Sequence, residues 1–439
     1  MNELQRTYRG KAWRDAEPAE RAGVERAVVV ASLDGAPEEQ DDRMAEFAEL
    51  LKTAGAKPVA TVVQRRDRPV PRTYLGRGKL EELAAIVERE KPELVAAEGS
   101  LTAGQQRHLE DRLKIRVVDR TAVILDIFAQ HAHTAEGKLQ VELAQLEYSY
   151  SRQEGLWQHL ERLGGGVGTR GPGESQLESD RRLLRNRMAT LRRRLKDVAR
   201  SRETQRARRA DSAIPRVALT GYTNAGKSSL MNALTGAGVS VDDALFETLD
   251  PTTRRVRVDG HELLLSDTVG FIRHLPHQLV NAFSATLDEA READLVLHVA
   301  DASEPEGPRA ARAAAVEEVL GEIGAAELPR VLVLNKIDLV DAEGREALAN
   351  RHPDAVAVSA LTGEGLDRLA TRLAEAARAR LTPLDVTIPF TQGGLVATVY
   401  AEGSEVRQEA TDQGTRVRAL MPPAAAARIT AALNGSAPG

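Results

Sequence analysis

There is no cysteine anywhere in the 439 residues. That excludes disulfide bridges and thiolate metal sites, and it suits a reducing compartment. Aromatic residues are nearly as scarce, at 3% of the chain. The cores must therefore be aliphatic, and an aromatic platform for stacking single-stranded nucleic acid is not expected. No apolar run approaches the roughly 18 residues that a membrane-spanning helix needs. The first 25 residues are charged and lack the apolar stretch of a secretory leader. A cytoplasmic protein with no membrane span is the expectation. Neither sign of charge dominates, because the net value is only −5. Apolar residues still make up 42%, and the length accommodates about two to four domains.

What is there concentrates at Gly221-Tyr222-Thr223-Asn224-Ala225-Gly226-Lys227-Ser228. Residues 216–220 before it form an apolar strand-like run, and residues 229–234 after it have helical spacing. Strand, glycine-rich turn and helix start make up the P-loop pattern G-x-x-x-x-G-K-[ST]. Its backbone N–H groups and the positive end of the helix dipole capture phosphate. Lys227 would reach the β- and γ-phosphates, and Ser228 would offer its hydroxyl to Mg²⁺.

The base is specified by Asn335-Lys336-Ile337-Asp338, which follows an apolar strand at 331–334. A carboxylate at Asp338 accepts two hydrogen bonds from guanine, from N1–H and the exocyclic amine. Adenine has neither donor and would leave the carboxylate unpaired. Asp267-Thr268-Val269-Gly270 follows another strand, at 262–266. Asp267 would hold the Mg²⁺ shell through water, and the Gly270 N–H would sense the γ-phosphate. Phe246-Glu247-Thr248-Leu249-Asp250 lies where a first switch loop belongs, with Thr248 as the Mg²⁺ hydroxyl and Thr252 as its alternate. Ser359-Ala360-Leu361 follows a further strand and would buttress guanine. In this order the motifs predict a GTPase domain that takes GTP and GDP, with Lys227, Thr248 and Gly270 closest to the chemistry. Phe271 stands where many GTPases carry a water-orienting glutamine, so slow intrinsic hydrolysis is expected.

Upstream, strands at 27–32, 59–64, 94–97 and 115–118 alternate with helices at 37–54, 79–89, 102–113 and onward from Arg120. Such alternation predicts a parallel sheet covered by helices. Residues 74–79, Y-L-G-R-G-K, read either as a tight loop entering a helix or as an anion site.

Two heptad-like seams follow. One runs through Leu139, Leu143, Leu146, Tyr150, Trp157 and Leu160, the other through Leu177, Leu184, Met188, Leu191, Leu195 and Val198. They predict an antiparallel helical hairpin, with a tip at 163–175 that holds six glycines. The tip contains G-x-G-x-x-G, but no strand precedes it, so a dinucleotide fold is rejected. From Arg181 to Arg209 the outgoing helix carries thirteen Arg or Lys against two acidic residues, Asp197 and Glu203. That density is the footprint of a polyphosphate partner, and folded RNA fits it best. Arg170, Arg181, Arg182, Arg192, Arg193 and Arg194 are the candidate RNA contacts.

The last piece alternates like short strands at 385–390, 395–400, 405–410 and 414–420, then a helix at 422–433. The predicted architecture is α/β and multi-domain. After a tail at 1–24 come an N-terminal parallel α/β domain at 25–135 and the hairpin at 136–212. A P-loop GTPase domain at 213–382 and a small α+β domain at 383–439 complete it.

Together these residues resemble one family, the HflX GTPases. The resemblance rests on residues 221–228, F-E-T-L-D-P-T-T-R at 246–254, D-T-V-G-F-I-R-H-L-P at 267–276 and N-K-I-D at 335–338. Outside the GTPase domain it rests on Y-L-G-R-G-K at 74–79 and G-T-R-G-P-G-E-S-Q-L-E-S-D-R-R at 168–182. It implies a monomeric cytoplasmic GTPase that binds the large (50S) ribosomal subunit and its rRNA and splits stalled ribosomes under stress. The P-loop asparagine, Asn224, resembles that of potassium-stimulated GTPases, so K⁺ is expected as an activator beside Mg²⁺. The alternatives are a GTPase of large-subunit assembly, or an RNA-remodelling ATPase with a second phosphate site at 74–79.

Overall fold

Within strand β1 (Glu25–Leu33), Ala27 to Ala31 is an unbroken apolar run buried on both faces, as a central parallel strand must be. The computed structural model describes residues 24–163, 172–210, 214–236, 245–246, 248–249, 252–273 and 284–434. The tail at 1–23 and the hairpin tip at 164–171 lie outside them. The chain divides into two compact units. One is Met1–Ile127 with Tyr148–Glu174, the other Phe128–Glu147 with Ser175–Gly439.

In the first unit β1 is followed by α1 (Pro37–Thr53), β2 (Ala56–Arg65), α2 (Arg77–Glu90), β3 (Leu94–Ala97), α3 (Ala103–Leu113) and β4 (Arg116–Asp119). The strands form one parallel sheet in the order β2-β1-β3-β4. Its core is aliphatic apart from Tyr74 and Phe47, with Val28, Val30, Val62, Leu83, Val95, Leu109 and Val117 at the centre of one cluster. Local chemistry sets the element ends. Thr102 caps α3 through a capping box, its hydroxyl taking the Gln105 N–H while the Gln105 side chain takes the Thr102 N–H.

The loop at 74–79 engages several of its polar groups locally. The Gly76 N–H donates to Gln64 Oε1 at 2.6 Å. Arg77 pairs with Glu81 and Lys79 with Glu82. These contacts agree with the tight-loop reading.

Helix α4 (Arg120–His131) begins directly after β4 and is followed by α5 (Ala135–Leu163) and α6 (Pro172–Ala210). In the second unit Leu184, Met188 and Leu191 of α6 are buried, as the seam predicts. Among the described residues of α5, the buried side chains are Gln140, Val141, Leu143 and Ala144. Of the predicted seam on this helix Leu143 is buried, Leu139, Leu146 and Tyr150 are only half-buried, and the side chains of Trp157 and Leu160 lie outside the described residues. Small Ala144 carried no signal in a count of large apolar residues. Ion pairs Glu142–Arg187 and Glu147–Arg192, both at 2.7 Å, tie α5 to α6.

A six-stranded sheet follows, built from β5 (Arg216–Gly221), α7 (Lys227–Thr235), β6 (Thr252–Val258), β7 (His261–Asp267), α8 (Ser284–Arg291) and β8 (Leu295–Asp301). It continues through α9 (Glu306–Glu322), β9 (Arg330–Asn335), α10 (Ala342–Arg351), β10 (Val356–Ala357) and α11 (Leu366–Ala379). The order is β10-β9-β8-β5-β7-β6, parallel except for β6. One edge, β10, is two residues long. The other, β6, carries Arg254, Arg255 and Arg257. Consequently β5, β7, β8 and β9 all end on one side, where open α/β sheets bind ligands.

The C-terminal piece has β11 (Thr382–Ile388), α12 (Gly393–Glu402), β12 (Ser404–Thr411), β13 (Gly414–Met421) and α13 (Pro423–Asn434). Its antiparallel sheet runs β11-β13-β12. The strand expected at 395–400 is a helix instead. Leu395, Val396 and Val399 fall at helical spacing and pack against the core shared by the sheet and α13. Burial of that face overrides the β preference of Val and Tyr.

Candidate nucleotide site

Strand β5 runs into the loop at Gly221, whose φ is +154°. A Cβ there would stand 2.2 Å from the Val299 carbonyl oxygen of β8, so only glycine lets the loop leave the sheet this closely. The loop then passes through Asn224 and Gly226, both left-handed, at φ +59° and +84°. Helix α7 starts at Lys227, whose Nζ donates to the Tyr222 carbonyl at 2.9 Å. The first N–H groups of α7 have no partner within the helix and face the loop.

The loop after β7 is zipped to this one. The Thr223 N–H donates to the Phe271 carbonyl at 2.8 Å, and the Phe271 N–H to the Gly221 carbonyl at 3.0 Å. The Thr268 hydroxyl donates to the Leu219 carbonyl at 2.7 Å. As a result the Phe271 ring is fully buried and does not reach the cleft.

Three oxygens converge beside Lys227. Ser228 Oγ donates to Asp267 Oδ2 at 2.7 Å, and Thr248 Oγ1 donates to the same oxygen at 2.9 Å. The two hydroxyls are 3.0 Å apart. Burial pushes the Asp267 carboxyl above the usual range, while the Lys227 charge and the two hydroxyls pull it back. Asp267 Oδ1 is buried with no hydrogen-bond partner. An all-oxygen donor set with a carboxylate oxygen to spare fits Mg²⁺. Thr252, the alternate, is exposed at the first position of β6, so Thr248 is the hydroxyl that joins the cluster.

Asn335 ties the end of β9 to two other loops. Its Nδ2 donates to the Ala225 carbonyl at 2.9 Å, and its Oδ1 accepts the Ala360 N–H at 3.0 Å. Lys336 is left-handed, with Nζ 2.7 Å from Asp301 Oδ2. Asp338 stands on the 3-10 turn Ile337–Leu339. Ser359 is buried, and its Oγ accepts the Thr362 N–H at 3.1 Å.

These loops enclose a cleft of about 240 Å³. Thr223, Asn224, Gly226, Lys227, Ser228, Phe246, Thr248, Thr268, Gly270, Asn335, Lys336, Asp338, Ala360 and Leu361 line it. Gly221, Tyr222, Ala225, Leu249, Asp267, Val269, Ile337 and Ser359 do not line it, and several of them hold the lining loops in place. Glu247 and Asp250 lie outside the described residues. Two lining residues were not anticipated, Ser229 and Leu339. Leu339 is 66% exposed and Leu361 86%. Exposed leucines at the mouth of a cleft suit the faces of a planar base. The signal for Leu339 was its place, an apolar residue directly after N-K-I-D. Phe246 is buried at φ +60°. For a bulky residue that conformation costs about 1–3 kcal/mol, so its surroundings must hold it.

Of the candidate RNA contacts, Arg182, Arg193 and Arg194 are exposed on α6, and Arg181 is half-buried. Arg192 is engaged with Glu147, so its charge is partly neutralised. Arg170 lies outside the described residues. Among the described residues, no helix is long and apolar enough to cross a membrane.

Four family models match the chain in succession. They are the GTP-binding GTPase N-terminal region at 41–129, the GTP-binding GTPase middle region at 131–209, the 50S ribosome-binding GTPase at 216–336 and the HflX C-terminal domain at 346–434. The chain is 44% identical over 401 residues to the GTPase HflX of Lacrimispora saccharolytica, covering 91% of this chain and 94% of that one. It is 46% identical over 358 residues to the GTPase HflX of Escherichia coli K12, covering 81% and 84%. Among solved structures, a GTP-binding protein from Sulfolobus solfataricus in complex with GDP is 25% identical, with 81% and 99% covered and a TM-score of 0.43.

Proposed function

The chain belongs to the HflX family of GTPases, and from that premise we propose that it binds the large ribosomal subunit and splits stalled ribosomes under stress in the cytoplasm. The observation that carries the nucleotide half is the convergence of Ser228, Thr248 and Asp267 beside Lys227 in a cleft that Asp338 also lines. Lys227 and the α7 N-terminus hold the phosphates of GTP. Ser228 and Thr248 would hold Mg²⁺, with Asp267 in its outer shell, and the ion would supply positive charge to the phosphate oxygens. The Gly270 N–H senses the γ-phosphate, and Asp338 accepts from guanine. The walls of exposed Leu339 and Leu361 cover the base.

Among the described residues of the loop after β7, no side chain is placed to orient the attacking water, because the Phe271 ring is packed in the core. Hydrolysis by the chain alone should therefore be slow. Asn224, exposed and left-handed on the cleft wall, suits a monovalent cation. Turnover is expected to be several-fold faster in K⁺ than in Na⁺, and faster again with large subunits. Equal rates in single-turnover assays under all three conditions would remove both aids.

The ribosome half rests on the basic face of α6. Sedimentation with separated subunits, with and without a non-hydrolysable GTP analogue, tests it. Binding should favour the large subunit and the analogue. Reversing Arg182, Arg193 and Arg194 to Glu should flatten the salt dependence, by up to about one unit of log–log slope for each phosphate no longer neutralised. A slope identical to wild type would mean that α6 does not meet RNA.

A further inference from the structure

The segment around Phe246 is fastened at two points that lie two residues apart. Thr248 is held by Asp267 and Ser228 at 2.9 and 3.0 Å. Phe246 is held by another ring. Its centroid lies 4.7 Å from that of Phe128, with the planes at 79°, an edge-to-face pair. We propose that Phe128, in the last turn of α4, is a positioning residue for GTP hydrolysis. It seats Phe246, and through it holds Thr248 where a nucleoside triphosphate needs the hydroxyl. This rests on the assignment of the cleft as the GTP site.

Phe246 lines the cleft, yet is only 2% exposed, and Phe128 is 1% exposed. The Phe246 ring is therefore shared between the cleft wall and the Phe128 ring. A bulky side chain does not keep a left-handed backbone without surroundings that dictate it. The adjoining Leu245 and Leu249 are also buried, so the segment turns an apolar side inward. The chain has six phenylalanines in all, and its cores are mainly aliphatic. Two of the six meet here, and an aromatic pair fixes orientation in a way that aliphatic packing does not. Coupling is reciprocal: whatever nucleotide does to Phe246 must be felt at Phe128.

The test is a double-mutant cycle in the full-length chain, with Phe128→Leu, Phe246→Leu and the pair. Turnover of GTP and binding of fluorescent GTP and GDP would be measured for each. Each single variant should lower kcat about five- to tenfold, with KM for GTP and affinity for GDP within about twofold of wild type. The pair should lose little more than either single variant, because the same ring pair is removed once. Phe128→Tyr, which keeps the ring, should retain most of the turnover. Losses that multiply in the pair, or GDP affinity falling as far as kcat, would overturn the proposal. If the wild-type chain itself failed to bind GTP, the cleft assignment would fall first and take this inference with it. Normal GTP binding with multiplying losses would remove the inference alone.

Discussion

Replacing Asp338 by Asn should lower GTP affinity by about 10³-fold and raise affinity for xanthosine triphosphate by a comparable factor. The carboxylate is the acceptor for two guanine donors, and each bond to a charged group contributes about 1.5–3 kcal/mol. An amide offers one acceptor and sets its own NH₂ against a guanine donor. Xanthine carries a carbonyl where guanine has its amine, so the amide matches it. Asp338 lines the cleft on a single rigid turn, and the backbone before it is fixed by the bond from the Ile337 N–H to the Val358 carbonyl. Isothermal titration with GTP, ATP and xanthosine triphosphate decides it. Unchanged GTP affinity would show that Asp338 does not read the base.

Gly226→Ala should abolish measurable nucleotide binding while leaving the chain folded. At φ +84° a side chain is already strained, and the added Cβ would lie 2.3 Å from Asn335 Nδ2. That atom cannot retreat freely, for it donates to the Ala225 carbonyl, and Asn335 Oδ1 holds the Ala360 N–H. Either the phosphate loop shifts, or Asn335 gives up buried bonds at about 1–3 kcal/mol for each group left unpaired. Both outcomes separate the phosphate loop from the base loops. The expected drop in binding exceeds 10³-fold, against a change of only a few degrees in Tm. Retention of GTP binding within tenfold of wild type would mean that the loop does not need this backbone. Loss of the far-ultraviolet helical signal would mean instead that the position serves the fold.

Much of the nucleotide site was legible because its chemistry is local. A P-loop needs a strand, a turn with particular glycines, and a helix, all within about a dozen residues. N-K-I-D carries its acceptor and the strand before it in the same way. The N-terminal strands were legible for a related reason. Runs such as 94–97 are short, apolar and bounded by polar turns, and they became β3 with the same limits. Features that depend on a distant partner were not legible. The helix at 395–400 has the composition of a strand, and only the core it shares with α13 decides otherwise. On α5, Val141 and Ala144 are buried because of what packs on them, not because of their size or spacing. Nothing in the sequence joins Phe128 to Phe246, since neither lies in a periodic pattern that points at the other.

The two borders of the six-stranded sheet have a consequence for life in a crowded compartment. An exposed strand border offers unpaired N–H and C=O groups that any other extended chain can zip onto. Here β10 ends after two residues, too short to seed a ladder. On β6, Arg254 and Arg257 add positive charge to the open side, and Arg255 is paired with Glu262. A second molecule approaching strand to strand would bring its own arginines against these. Both borders of the sheet therefore disfavour strand-to-strand pairing between copies of this chain.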